Sequence, residues 1–129
     1  MNNTQKLFDL ARNAAEKAYC PYSKFAVGAA ILADDNNFYA GCNVENISYP
    51  VGTCAEAGAI AAMIAGGSKK IVEMLVYADS KQLISPCGAC RQRIAEFADK
   101  NAAVYLANKD GIQKLTNLAE LLPCSFSEF

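Results

Sequence analysis

The sequence predicts an α/β domain, a three-layer α-β-α sandwich in which helices cover both faces of a mixed sheet. Three observations carry this expectation. Stretches of helical and of strand-like periodicity alternate along the chain. The turn-rich Asp34-Asp35-Asn36-Asn37 joins two strand-like runs, and the largely apolar residues 71–78 read as a strand buried on both faces. With 129 residues and no repeat, low-complexity segment or linker, the chain is one domain. A domain of that size buries roughly two thirds of the surface its unfolded chain exposes.

Asn3 or Thr4 is suited to cap a first helix whose Leu7, Leu10, Ala11, Ala14, Ala15 and Ala18 share a face, and which ends before Pro21. Residues 25–32 and 38–44 form the hairpin. A loop over 45–52 leads into a helix over 54–65, stopped by Gly66-Gly67. After the strand at 71–78 comes a helix over 86–98, with Pro86 at its first position. A strand at 102–107, a turn at 108–111 and a short helix at 115–122, halted by Pro123, complete the order. At least four strands are expected, and the end of the chain leaves room for a fifth.

Composition narrows the function. The formal net charge is −1 and the basic residues are scattered, which is not the electrostatic footprint of a nucleic-acid binder. No stretch approaches the roughly eighteen apolar residues of a membrane span, and the N-terminus lacks a charged-then-apolar leader. Six cysteines in a leaderless chain point to metal binding and a cytoplasmic address rather than to disulfides. A hydrophobic content of 53% exceeds what one core of this size needs, so part of it is expected at subunit contacts.

The chemistry concentrates in Thr53-Cys54-Ala55-Glu56 and Ser85-Pro86-Cys87-Gly88-Ala89-Cys90, each of which opens a helix-like run. Helix N-termini carry unpaired N–H groups and positive potential, which favour thiolate over thiol. The chain has no histidine, so a transition-metal site must be built from sulfur, and zinc suits such ligands. Three protein ligands leave a fourth tetrahedral position open, as in catalytic zinc sites. Glu56, two residues past the first thiol, is then placed to move protons.

Each motif has a competing reading. Thr53-x-x-Glu56 is a capping box, which accounts for both residues without chemistry. Cys87-x-x-Cys90 between a strand and a helix is also a redox-pair pattern. Cys20, Cys42 or Cys124 closing the site to four sulfurs would make the zinc structural.

In order and spacing, Pro21-Tyr22-Ser23-Lys24-Phe25, Val27-Gly28-Ala29-Ala30, Asn43-Val44-Glu45-Asn46 with Tyr49, Cys54-Ala55-Glu56 and Pro86-Cys87-Gly88-Ala89-Cys90-Arg91-Gln92 resemble the short, homotetrameric zinc-dependent cytidine deaminases. The resemblance runs from about residue 10 to Phe126. It implies a five-stranded mixed sheet and hydrolytic deamination of cytidine, and of 2′-deoxycytidine, in pyrimidine salvage.

It also implies zinc on Cys54, Cys87 and Cys90, with Glu56 as proton shuttle. Phe25 would lie against the pyrimidine, Asn43 and Glu45 would bind the ribose hydroxyls, and the Ala55 backbone would contact the base. Ile47, Tyr49 and Phe126 would come from neighbouring subunits. Within the enzyme class the rival is a deaminase of a related aminopyrimidine nucleoside such as blasticidin S. Outside it, the rival is a structural zinc or redox thiol protein.

One position departs from the pattern. The family commonly has an arginine directly after the glutamate, where this chain has Ala57. Three thiolates around a divalent cation leave one net negative charge, which other donors should offset. The helix N-termini are the first expectation, with Arg91 as a side-chain alternative.

Overall fold

The computed structural model describes residues 2–129 and turns the alternation into α1 (Asn3–Glu16), the hairpin β1 (Val27–Ala33) and β2 (Phe38–Cys42), a 3-10 turn at Tyr49–Val51 and α2 (Ala55–Ala65). Then follow β3 (Ile71–Ala78), α3 (Gly88–Phe97), β4 (Ala98–Asn108), β5 (Gly111–Asn117) and α4 (Leu118–Leu121). The five strands form one sheet in the order β2-β1-β3-β4-β5, with β3 and β4 parallel and the other neighbours antiparallel. The expected three layers are present, and five strands fill the sheet.

The central strands divide their side chains between two cores by the two-residue period of a strand. From β1, Ala30 and Leu32 join Leu75 and Tyr77 of β3 against Leu7, Phe8, Ala11 and Ala15 of α1. On the other face, Ala29, Ile31 and Ala33 meet Met74 and Val76, under Ala59, Ile60 and Met63 of α2 and Ile94 of α3. The strand read as buried at 71–78 has those bounds and sits between β1 and β4.

The boundaries that differ do so for local reasons. Asn2, rather than Asn3 or Thr4, caps α1, its Oδ1 accepting the Gln5 N–H at 2.8 Å. Pro86 lies outside α3, whose N-cap is Cys87. The stretch expected to turn helical at 115 instead continues as β5, because Gly111, at φ 111°, makes a tight turn that lays 111–117 antiparallel to β4. The last helix therefore begins only at Leu118, where Asn117 Oδ1 accepts the Glu120 N–H at 2.8 Å.

Two glycines set how closely the helices approach the sheet. A Cβ on Gly28 would stand 1.9 Å from the Ala11 carbonyl oxygen, and one on Gly41 would stand 2.3 Å from the Ala59 nitrogen. In both cases the obstacle is backbone, which cannot swing aside. Gly41→Ala is therefore expected to push α2 off the sheet and cost about 2–3 kcal/mol. That lowers the thermal midpoint by roughly 5–10 °C, measurable by circular dichroism; an unchanged midpoint would contradict the close approach.

Candidate metal centre and cavity

The N-termini of α2 and α3 converge, and they bring three thiols together. Cys54 is the N-cap of α2, Cys87 is the N-cap of α3, and Cys90 lies in the first turn of α3. Their sulfur atoms all lie within 4.8 Å of one another. Tetrahedral bonds of about 2.3 Å put sulfurs about 3.8 Å apart, which lies inside that limit, so a zinc ion fits among these three. Among the described residues no further histidine, cysteine, aspartate or glutamate joins the cluster. Cys20, Cys42 and Cys124 are free thiols outside it, so the four-sulfur closure weighed from the sequence does not form.

Cys54 as the cap also removes the capping box. The Thr53 backbone instead pairs with Val44, with N–H to carbonyl distances of 2.9 and 3.0 Å in the two directions. Glu56 thus falls at the second helical position rather than the third, and its side chain is only 5% exposed. Burial pushes its carboxyl pKa up, while its own backbone N–H, the Cys90 thiol and the Arg93 charge pull the other way. A carboxyl so placed exchanges protons more readily than one held firmly ionised.

The thiols differ from one another. Burial pushes Cys54 and Cys90 up. Cys87 is held low, chiefly by the Cys90 backbone N–H, with Ala89 N–H adding to it. These are the unpaired amide groups of a helix start at work. The expectation that helix ends would favour thiolate is met for this sulfur.

Above the cluster opens a cavity of about 540 Å³, a volume suited to a small molecule. Cys54, Ala55, Glu56 and Cys87 line it, as do Phe25, Asn43, Glu45 and Tyr49. Ile47 and Phe126, 79% and 66% exposed, do not line this chain's cavity; Phe126 stacks edge-on with Phe129 at 5.6 Å.

Two lining residues also hold the walls. Asn43 Oδ1 accepts the Val27 N–H at 2.9 Å while its Nδ2 donates to the Phe25 carbonyl at 2.8 Å. Glu45 accepts the N–H groups of Tyr22 and Ser23 at 3.0 and 3.1 Å and the Ser23 hydroxyl. Those donors, the Ser23 hydroxyl first, hold its carboxyl below the ordinary value, so it is ionised at neutral pH. Ser23 is a positioning residue that sequence reasoning passed over.

Arg91 points elsewhere than supposed. Its Nε donates to the Pro86 carbonyl, Nη1 to the Leu121 carbonyl and Nη2 to Ser85 Oγ, at 2.7–2.8 Å, tying α3 to its entry loop and to α4. The guanidinium near sulfur is that of Arg93, whose Nη1 donates to Cys90 Sγ at 3.4 Å. The signal for it was its place three residues after Cys90, one helical turn on.

Comparison with known proteins places this geometry. Residues 1–106 match the family model for the cytidine and deoxycytidylate deaminase zinc-binding region. A cytidine deaminase of Sporosarcina psychrophila is 45% identical over 126 residues, 98% of this chain and 93% of its own. The crystal structure of cytidine deaminase from Burkholderia pseudomallei superposes with a TM-score of 0.91 at 39% identity, covering 98% of this chain and 100% of that one. A blasticidin-S deaminase of Bacillus cereus is 29% identical over 98% of the chain.

Cys90→Ala is expected to drop bound zinc from about one per chain to near zero while far-ultraviolet circular dichroism keeps its shape. Metal analysis of the purified variant checks this, and full zinc content would remove Cys90 from the ligand set.

Proposed function

The chain belongs to the cytidine and deoxycytidylate deaminase zinc-binding family, and from that premise we propose that it binds cytidine in the cavity above the three thiols and hydrolyses it to uridine and ammonia. The observation that carries this reading is the buried Glu56 beside a three-sulfur cluster that opens on a cavity. A structural or redox role does not account for a buried carboxyl at the cavity floor. Deoxycytidine is handled the same way, since no step uses the 2′-hydroxyl.

Cys54, Cys87 and Cys90 hold the zinc. When bound, zinc supplies Lewis acidity that makes water a competent nucleophile at neutral pH. Glu56 accepts a proton from the attacking water and delivers it to ring N3, which makes C4 electrophilic. Once C4 is tetrahedral, the emptied carboxylate takes the proton of the new C4 hydroxyl and passes it to the amino group, and the C4–N bond breaks to release ammonia and leave the C4 carbonyl of uridine. The one group does both transfers because burial raises its carboxyl pKa, which brings the protonated form closer to reach than in an exposed glutamate.

The lining residues orient the nucleoside. Phe25 offers its ring to the pyrimidine, the Ala55 backbone meets the base, and Asn43 and Glu45 take the ribose hydroxyls. The ionised Glu45 accepts hydroxyl hydrogens and repels phosphate, which selects nucleoside over nucleotide. An ordinary ribose site favours cytidine over blasticidin S as substrate.

Ile47, Tyr49 and Phe126 are large apolar groups at 79%, 74% and 66% exposure, a costly display for a monomer. Ile47 and Phe126 complete the cavities of neighbouring subunits in a homotetramer, while Tyr49, expected there too, lines the cavity of its own chain. Six free cysteines, three of them gathered in one cluster, suit a reducing cytoplasm, and the conversion of a free nucleoside to uridine suits a role in pyrimidine salvage.

Glu56→Gln is expected to keep zinc and lower kcat by about 10²–10⁴-fold, followed as loss of cytidine absorbance beside deoxycytidine, cytidine monophosphate and blasticidin S. A wild-type rate in this variant removes Glu56 from the reaction, and wild-type protein that leaves cytidine unchanged removes the function. Native mass measurement should return four times the chain mass; a monomer would sink the shared cavity.

A further inference from the structure

The three sulfurs are not served alike. Backbone N–H groups at the start of α3 face Cys87, but Cys90 is fully buried and receives a side-chain donor instead, Arg93 Nη1 at 3.4 Å. Arg93 forms none of the ion pairs among the described residues, although Glu96 lies one turn on. Both residues border a groove of about 450 Å³ between α2 and α3, which Ala57 also lines. Arg91, the neighbour two positions earlier, is by contrast engaged through all three of its side-chain nitrogens by oxygen acceptors.

A divalent cation on three thiolates leaves a net negative charge that is partly out of water, and an uncompensated charge of that kind is unfavourable. A permanent cation donating to the most buried sulfur offsets it and draws electron density off that thiolate, which strengthens the Lewis acidity the site can offer. We propose that Arg93 is the charge-balancing positioning residue of the metal centre, acting through Cys90 on both zinc retention and turnover. This rests on the three-thiol zinc site of the preceding section. Arg93 touches neither substrate nor reacting atoms, and its work is done from the far side of the sulfur.

The test compares zinc-loaded wild type with Arg93→Gln, which keeps a hydrogen-bond donor without charge, and Arg93→Lys, which keeps the charge. Arg93 is on the surface, so both variants are expected to fold, and the thermal midpoint verifies it. Zinc transfer to a chromophoric chelator, independent of activity, is measured alongside kcat and KM for cytidine. Arg93→Gln should surrender zinc at about tenfold lower chelator concentration and lose about tenfold in kcat with KM little changed, while Arg93→Lys retains most of both. Wild-type zinc retention and kcat in Arg93→Gln would overturn the proposal, as would Lys failing as badly as Gln, since charge would then not be the operative property. Wild-type protein that itself binds no zinc would instead overturn the underlying site reading, a result read before any variant is made.

Discussion

Everything at the site depends on two helix starts pointing at one place. The first-turn N–H groups of α2 and α3 have no partners within their helices, and the potential there is positive. Setting Cys87 at the cap of α3 turns that local deficit into a place where sulfur prefers to be negative, whereas at the cap of α2 burial outweighs it and holds Cys54 toward the thiol. The sheet supplies the rest. It anchors the loops that enter α2 and α3, and thiols 33 positions apart in the chain, Cys54 and Cys87, meet within 4.8 Å.

That convergence needs the helices to lie close to the sheet, and small residues allow it. Gly28 under α1 and Gly41 under α2 give way to backbone atoms where any side chain would collide. Ala29, Ala30, Ala55 and Ala59 continue the thin layer between strand and helix. Burying so much alanine contributes less hydrophobic stabilisation per residue than leucine would. Proximity is what it supplies, and proximity holds the metal centre together.

Much of this was legible in the residues. Strand β3 had the stated bounds because eight largely apolar residues between turn signals leave little choice, and the gathering of Cys54, Cys87 and Cys90 followed from spacing and helix starts. What escaped were competitions between neighbours. Thr53, Asn3 and Pro86 were each plausible helix openers, but Thr53 was claimed by its backbone pairing with Val44, Asn2 already served the first helix, and Cys87 displaced Pro86 as cap. The stretch at 111–117 became a strand because an unpaired edge of β4 was waiting beside it. Arg91 and Arg93 differ by two positions on a helix, which turns their side chains about 200° apart. Packing against the entry loop and α4 decides which of them faces oxygen and which faces sulfur.

The double employment of Asn43 and Glu45 has an evolutionary corollary. The amide that staples the start of β1 and the carboxylate that gathers Tyr22 and Ser23 are architectural first, so replacing either deforms the wall before it alters what the wall touches. Drift toward new substrates is thereby steered to the rings of Phe25 and Tyr49, which line the cavity and make none of these wall-holding hydrogen bonds. Two of these side chains are masonry and two are upholstery, and only the second pair can be changed without rebuilding the room.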